Sequence, residues 1–242
     1  MRDLTDRQLQ DFAEAVSWEI AERLPDGRIL GRVGELGATM TELDFRLAEV
    51  DKRLGLAGKT VLELGSHEGH FTIQLAQRCQ QVTAVEVRPK NVVCALIRAY
   101  VHDMENIKIH CKDVRGIDGS FGRFDIVVHL GVLYHLSNPV EHLFRIKDLS
   151  DNLLLCTHYG GSTLGFPRDD ISYDGKTYRA HRYKEFGWQD GWSGMEDSSR
   201  WLEREDLLRL LRDTGYGSVE IIRDWEASGY PRLSLLAGRS AR

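Results

Sequence analysis

From Thr60 onward, short apolar runs recur at residues 61–64, 82–87, 107–110, 125–130 and 153–157, separated by stretches long enough for helices. Short apolar runs of this length are read as buried strands. Helices fit at 70–78, at 90–101 with Pro89 at its start, and at 138–147 with Pro139 in its first turn, where the missing proline N–H would have had no helical partner. Strands and helices alternating in this way predict an α/β fold, Rossmann-like, with a doubly wound and mostly parallel sheet. Residues 203–213 read as one more helix, stopped by Gly215. Residues 219–223 and 233–237 then read as two last strands. Their connection, 226–232, is too short for a crossover, so this terminal pair is expected to be antiparallel.

The region before Thr60 is different. Thr5 and Gln8 have the spacing of a capping box, and Leu9, Phe12, Ala13, Val16, Ile20 and Leu24 follow at helical intervals. They predict an amphipathic helix running to about 25–27. Trp18 falls opposite its apolar stripe and needs cover, from another part of the chain or from a ligand or partner. Residues 28–40 are Gly-rich without a clear period, 42–54 read as a second helix, and 55–59 as a linker. A helical N-terminal extension, 1–57, thus precedes the main domain, 58–242.

Composition narrows the class. With 242 residues, 42% hydrophobic and 29% charged, the chain is long enough for one large globular domain. No apolar run reaches the length of a membrane span, and the N-terminus lacks the basic start and apolar stretch of a secretory signal, so a cytoplasmic protein is expected. Cys79, Cys94, Cys111 and Cys156 form no CxxC pair, which points to ordinary thiols rather than disulfides or zinc. A net charge of −5 argues against a surface that grips nucleic acid throughout.

The strand at 61–64 runs into Glu63-Leu64-Gly65-Ser66-His67-Glu68-Gly69-His70 and then a helix. Doubly wound folds bind nucleotide-like ligands at this place. Gly65 permits a tight turn, Gly69 a close start of the helix beside the strand, and Glu86 ends the second strand where a carboxylate can meet a ribose diol. His67 occupies the middle glycine position of a dinucleotide fingerprint and obstructs a pyrophosphate. The E-x-G-x-x-x-G loop, Glu86, Asp113 after the third strand and the segment FDIVVHLGVLYHL resemble the class I S-adenosylmethionine-dependent methyltransferases. That resemblance implies S-adenosylmethionine as cofactor and S-adenosylhomocysteine as product. It implies that Glu63 opens the binding loop and that Gly65, Ser66 and Gly69 line the methionine moiety, with His67 near the sulfonium end. It further implies that Glu86 binds the ribose, Val87 and Arg88 border the adenine, Asp113 and Val114 meet its edge, and Leu130 and Gly131 approach from the fourth strand.

Methyl transfer to an oxygen or nitrogen that carries a proton needs a base. Tyr134 and His135 lie just after the fourth strand and His158 just after the fifth, so these three are the catalytic candidates. His129, within its strand, is expected to be buried. Residues 159–201 hold nine aromatics where about four are expected from the 21 in the chain. They read as an aromatic-rich lid insertion that forms the acceptor pocket, or alternatively as a homodimer contact. Six basic and seven acidic residues there make no positive channel for nucleic acid. Asp169 and Asp170 read as an acidic turn rather than as metal ligands with His158, so no metal is expected. The favoured function is methyl transfer to a small-molecule acceptor, a sugar, aromatic or natural-product intermediate. Two alternatives stand beside it. The run from Gly131 to Asp148 resembles the tRNA wobble-uridine carboxymethyltransferases, which use a carboxylated cofactor, and a noncatalytic cofactor-binding interaction protein has the same donor features.

Overall fold

The computed structural model describes residues 4–24, 26–30 and 43–239. The chain divides into two compact units, Met1–Gly116 and Ile117–Arg242. No helix among the described residues is long and apolar enough to cross a membrane.

In the first unit, α1 (Asp6–Ala15) begins with the expected capping box between Thr5 and Gln8. It stops at Ala15, not near residue 25. The buried Glu68 carboxylate accepts the backbone N–H groups of Glu19 (2.7 Å) and Ile20 (3.0 Å), which a continuing helix would have consumed. Trp18 therefore lies outside the helix. It packs with Leu9, Leu24, Leu30 and Val101 beneath the Arg98 guanidinium, 5.1 Å from its ring centre. Two short strands, β1 (Glu22–Arg23) and β2 (Ile29–Leu30), then pair antiparallel. The ambiguous stretch 28–40 falls mostly outside the described residues, as does Glu42. The second helix, α2 (Phe45–Leu54), is capped by Asp44, whose carboxylate accepts from Arg46 N.

The regular pattern follows: β3 (Thr60–Leu64), α3 (His70–Ala76), β4 (Gln81–Glu86), α4 (Pro89–Val101) and β5 (Ile107–Cys111). The three strands are parallel, β4 lying between β3 and β5, with Leu64 opposite Val85 and Glu86 opposite Cys111. Leu62, Leu64, Leu75, Val82, Val85 and Cys94 are buried, so both faces of β3 and β4 are covered.

In the second unit, β6 (Ile126–Leu130), α5 (Pro139–Ile146) and β7 (Asn152–His158) form a parallel strand-helix-strand unit. Residues 159–201 are more regular than a loop: β8 (Ile171–Tyr173) pairs with β9 (Lys176–Tyr178), and β10 (Ala180–Lys184) with β11 (Ser198–Leu202). After α6 (Arg204–Asp213), β12 (Ser218–Ala227) and β13 (Tyr230–Gly238) form the antiparallel pair, with β13 also antiparallel to β7. Both strands are longer than expected, and the turn narrows to Ser228-Gly229. Their positive φ angles of 55° and 78° suit a two-residue hairpin, and the twist of such a turn lets pairing continue to its edge. The fold is thus α/β with mostly parallel strands and an antiparallel terminal pair. All four cysteines are free; Cys79, Cys94 and Cys156 are buried and Cys111 is exposed.

Candidate active site

The turn between β3 and α3 is built on three left-handed positions, Gly65 (φ 74°), His67 (φ 50°) and Gly69 (φ 82°). The N–H groups of Gly65 and Ser66 both donate to Val85 O, fastening the loop to β4. At Gly69 a Cβ would stand 2.6 Å from Ala95 Cβ, so glycine is required by close contact with α4, rather than with the strand as expected from the sequence. Glu86 ties the loop to the start of α4. One carboxylate oxygen accepts from His67 N (2.9 Å), the other from Arg88 N (2.9 Å) and Asn91 Nδ2 (3.3 Å). A carboxylate has about four acceptor directions, so about one remains for a ligand hydroxyl.

Glu63 is buried at the end of β3 and accepts from Thr72 Oγ1 at 2.5 Å. Burial, reinforced by the charge of Glu86, pushes its carboxyl up to about 8. Burial also pulls the His67 imidazole down, against the pull of Glu68 and Glu86. The Ser66 hydroxyl is buried with no hydrogen-bond partner, an orphaned polar atom inside the loop. Asp113, just past β5, accepts from Arg115 N (2.9 Å) and its guanidinium; these bonds outweigh burial and hold its carboxyl below the usual range. Val114 is buried beside it and Val87 follows β4 directly. The first unit therefore brings Glu63, Gly65, Ser66, His67 and Glu86 into one loop cluster, with Asp113 on the next strand.

The second unit holds the remaining candidates. Leu130 ends β6, and Gly131 (φ 78°) donates to Cys156 O. His135 Nδ1 lies 3.0 Å from Glu185 Oε1. Glu185 is almost wholly buried and also accepts from Ser193 Oγ (2.6 Å), Gly194 N (2.7 Å) and Ser199 Oγ (2.7 Å). Burial raises its carboxyl, but His135 and these donors outweigh burial and hold it below the usual range. An ionised Glu185 accepts from His135 Nδ1–H and so orients the ring, the arrangement of a carboxylate-oriented base.

Tyr134 packs against His135 (ring centres 4.1 Å apart), His158 (4.6 Å) and Trp201 (5.9 Å). Burial raises its phenol above 10, so it stays protonated at neutral pH. His158 stacks on Trp201 at 5.0 Å and its Nδ1 faces Pro231 O at 3.1 Å. Burial, then the charge of Arg232, pushes it down to about 4, so its imidazole is neutral. His129 is fully buried against His142, Nε2 to Nε2 at 2.9 Å. Of the nine aromatics at 159–201, Phe166, Tyr183 and Trp201 join the cluster with Tyr134 and His158. Tyr173 stacks on Phe144, Tyr178 bonds Asp213, Tyr159 bonds Asp224, and Phe186, Trp188 and Trp192 are exposed. Asp169 pairs with Arg182 and Arg200, and Asp170 with Arg168. Sequence reasoning missed Glu185, whose only local signal is a lone carboxylate among aromatics, and Arg232.

A family model described as a methyltransferase domain matches residues 61–148. An rRNA adenine N-6-methyltransferase of Limosilactobacillus reuteri is 39% identical over 54 residues, 22% of this chain and 21% of that protein. A ubiquinone biosynthesis O-methyltransferase of Pseudomonas paraeruginosa is 31% identical over 101 residues, 40% of this chain and 42% of the relative. These matches span less than half of the relatives' lengths. A tRNA U34 carboxymethyltransferase of Desulfotalea psychrophila is 26% identical over 94 residues, 38% of this chain and 29% of that protein. Among solved structures, the N-terminal domain of EvdMO1 with SAH bound has a TM-score of 0.78 and 26% identity, covering 98% of both chains. The same domain was also solved in the presence of SAH and D-fucose, with a TM-score of 0.78 and 24% identity over 98% of both chains.

Proposed function

From the premise that this chain carries a class I S-adenosylmethionine-dependent methyltransferase domain, we propose that it methylates a hydroxyl of a small-molecule acceptor, a sugar first among the candidates. The observation that carries the reading is the His135–Glu185 pair beside an aromatic cluster. The whole-chain likeness to a domain solved with SAH and D-fucose supports a sugar. The first unit's loop fits the cofactor. Ser66 offers an unused buried hydroxyl, Glu86 retains about one acceptor direction for a ribose hydroxyl, and the backbone at Gly65 carries no side chain that would block close approach. His67, Gly69, Val87, Arg88, Asp113, Val114, Leu130 and Gly131 are proposed as further donor contacts.

S-adenosylmethionine supplies, when bound, a methyl carbon already activated by positive sulfur. The protein's own contribution is alignment, exclusion of water and handling of one proton. His135 Nε2 takes the proton of the acceptor hydroxyl, and Glu185 stabilises the imidazolium that results. Tyr134, a protonated phenol, and His158, a neutral imidazole, position the acceptor oxygen by hydrogen bonding. Trp201 and Tyr183, stacked at 4.5 Å, give the acceptor an apolar wall.

The test has two stages. Calorimetric titration with S-adenosylhomocysteine should show binding that is weakened in Glu86→Ala; undiminished affinity in that variant overturns the donor assignment. Methyl transfer from labelled cofactor to a panel of sugars and phenols then reads the acceptor. Both Glu185→Gln and His135→Gln should lose most of the roughly 10²- to 10⁴-fold that a positioned base supplies, in kcat rather than KM, with donor affinity unchanged. Full kcat in His135→Gln refutes its role.

A further inference from the structure

Arg232 stands out among the arginines of the second unit. The other half-buried ones each have a carboxylate: Arg200 has Asp169 at 2.9 Å, Arg204 has Asp224 at 2.9 Å and Arg239 has Asp148 at 3.3 Å. Arg232, also half-buried, makes no ion pair among the described residues. Its one side-chain hydrogen bond goes from Nη2 to Tyr134 Oη at 3.3 Å, and its Nε is buried without a partner. A half-buried cation with a buried, unpartnered N–H and no counter-charge is costly, and a ligand oxyanion would complete it.

Its position gives the deficit a meaning. Arg232 on β13 is directly opposite His158 on β7, so the two side chains share one face of the sheet. The guanidinium lies 5.8 Å from the Tyr134 ring centre, and a Cβ at Gly131 would be 3.8 Å from Nη2. The groups named around it are a neutral imidazole, a protonated phenol and aromatic rings. The nearby carboxylate of Glu185 is committed to His135, Ser193, Gly194 and Ser199. A second buried donor in the same cluster, Trp201 Nε1, also has no partner. The cluster is thus short of hydrogen-bond acceptors and of negative charge.

We infer that Arg232 forms an anion subsite of the acceptor site, and that the acceptor is an anionic carbohydrate whose carboxylate or phosphate pairs with this guanidinium. This rests on the acceptor reading proposed above and names its substrate class. A guanidinium presents a planar fork that suits either oxyanion, and the rings at Trp201, Tyr183 and Tyr230 suit the apolar faces of a sugar.

The test is calorimetry on the full chain saturated with S-adenosylhomocysteine, with galactose, galacturonate and galactose 1-phosphate as probes. At least one acid should bind about 10- to 100-fold tighter than galactose, the worth of one charge-assisted contact, with the preference falling as salt rises. Whichever acid shows the preference identifies the carboxylate or the phosphate. In Arg232→Gln the preference should collapse to within about twofold while S-adenosylhomocysteine affinity is kept, and Arg232→Lys should restore part of it. Equal binding of all three probes, no binding of either acid, or a preference that survives in Arg232→Gln overturns the inference and leaves the methyltransferase reading intact. Failure of the wild type to bind S-adenosylhomocysteine overturns the donor reading, and the inference falls with it.

Discussion

Glu63 gives a prediction that needs no substrate. It is 3% exposed, its carboxylate has one hydrogen bond among the described residues, from the Thr72 hydroxyl, and burial with the neighbouring Glu86 charge lifts it from 4.5 to about 8. The folded chain therefore keeps a proton that the unfolded chain releases above pH 4.5. Between pH 4.5 and 8 the native state binds more protons, so stability falls as pH rises, by about 1.4 kcal/mol per pH unit and about 5 kcal/mol in all. Below 4.5 the contribution is fully present, and above 8 no more is lost. Glu63→Gln keeps an oxygen for Thr72 and cannot ionise. Urea unfolding of both proteins without cofactor at pH 5, 6.5 and 8 should show the variant gaining on the wild type as pH rises. By pH 8 the gain should approach 5 kcal/mol, or roughly 10–20 °C in Tm for a chain of this size. Every other titrating group is common to both proteins and cancels in the difference. Parallel stability curves from pH 5 to 8 would refute the reasoning, because they would mean that Glu63 titrates alike in the folded and unfolded chain.

Three further perturbations act on the same unit. Gly69→Ala puts a Cβ at φ 82° and 2.6 Å from Ala95 Cβ, so thermal unfolding should show a loss of about 2 kcal/mol or more from backbone strain and overpacking together. Arg98→Met strips the fully buried guanidinium from Glu22 and Glu68 and should cost about 3–5 kcal/mol, with limited proteolysis showing release of residues 17–24. Glu22 is raised by burial but brought down to about 2 by His102, His70 and Arg98, so the stability it contributes is present above pH 4.5 and lost as pH falls toward 2. Acid titration of Glu22→Gln should flatten that limb.

The parts of the fold legible in the sequence are those fixed by local chemistry. Pro89 and Pro139 mark helix starts because proline suits the first turn, and the apolar runs at 61–64, 82–87, 125–130 and 153–157 locate strands covered on both faces, whereas β5, where Lys108 and His110 alternate with Ile107 and Ile109, is only partly buried. The turn after β3 is readable for the same reason: Gly65 and Gly69 take left-handed backbone, and Glu86 follows at the end of the next strand. The first helix fails where tertiary contact overrides period. Val16, Ile20 and Leu24 keep helical spacing, yet Glu68, far along the chain, claims the backbone N–H groups that would have continued the helix. The same contact explains Trp18, which is wrong for a helix face but right for the extended segment that covers Arg98.

The acceptor side is less legible because distance along the chain hides it. His135 and Glu185 are separated by 50 residues, and Glu185 reaches its role only because the β10–β11 hairpin brings Ser193, Gly194 and Ser199 around it. The aromatic enrichment of 159–201 is visible, but it does not say that Tyr173 and Tyr178 serve packing while Trp201 faces His158 and Tyr134 with Tyr183 stacked on it. Register settles that: Tyr183 is opposite Ser199 and His181 opposite Trp201, so the hairpin delivers Trp201 and the Glu185 network from one pairing. A single-residue slip in that register would turn Trp201 to the other face and scatter the donors on Glu185 at once. The orientation of His135 by Glu185 and the placement of Trp201 therefore share one structural cause. Substitutions that loosen β10–β11 should impair specificity and kcat together while sparing the β3–α3 loop, whose hydrogen bonds run to β4, to the start of α4 and to residues 19–20, all in the first unit.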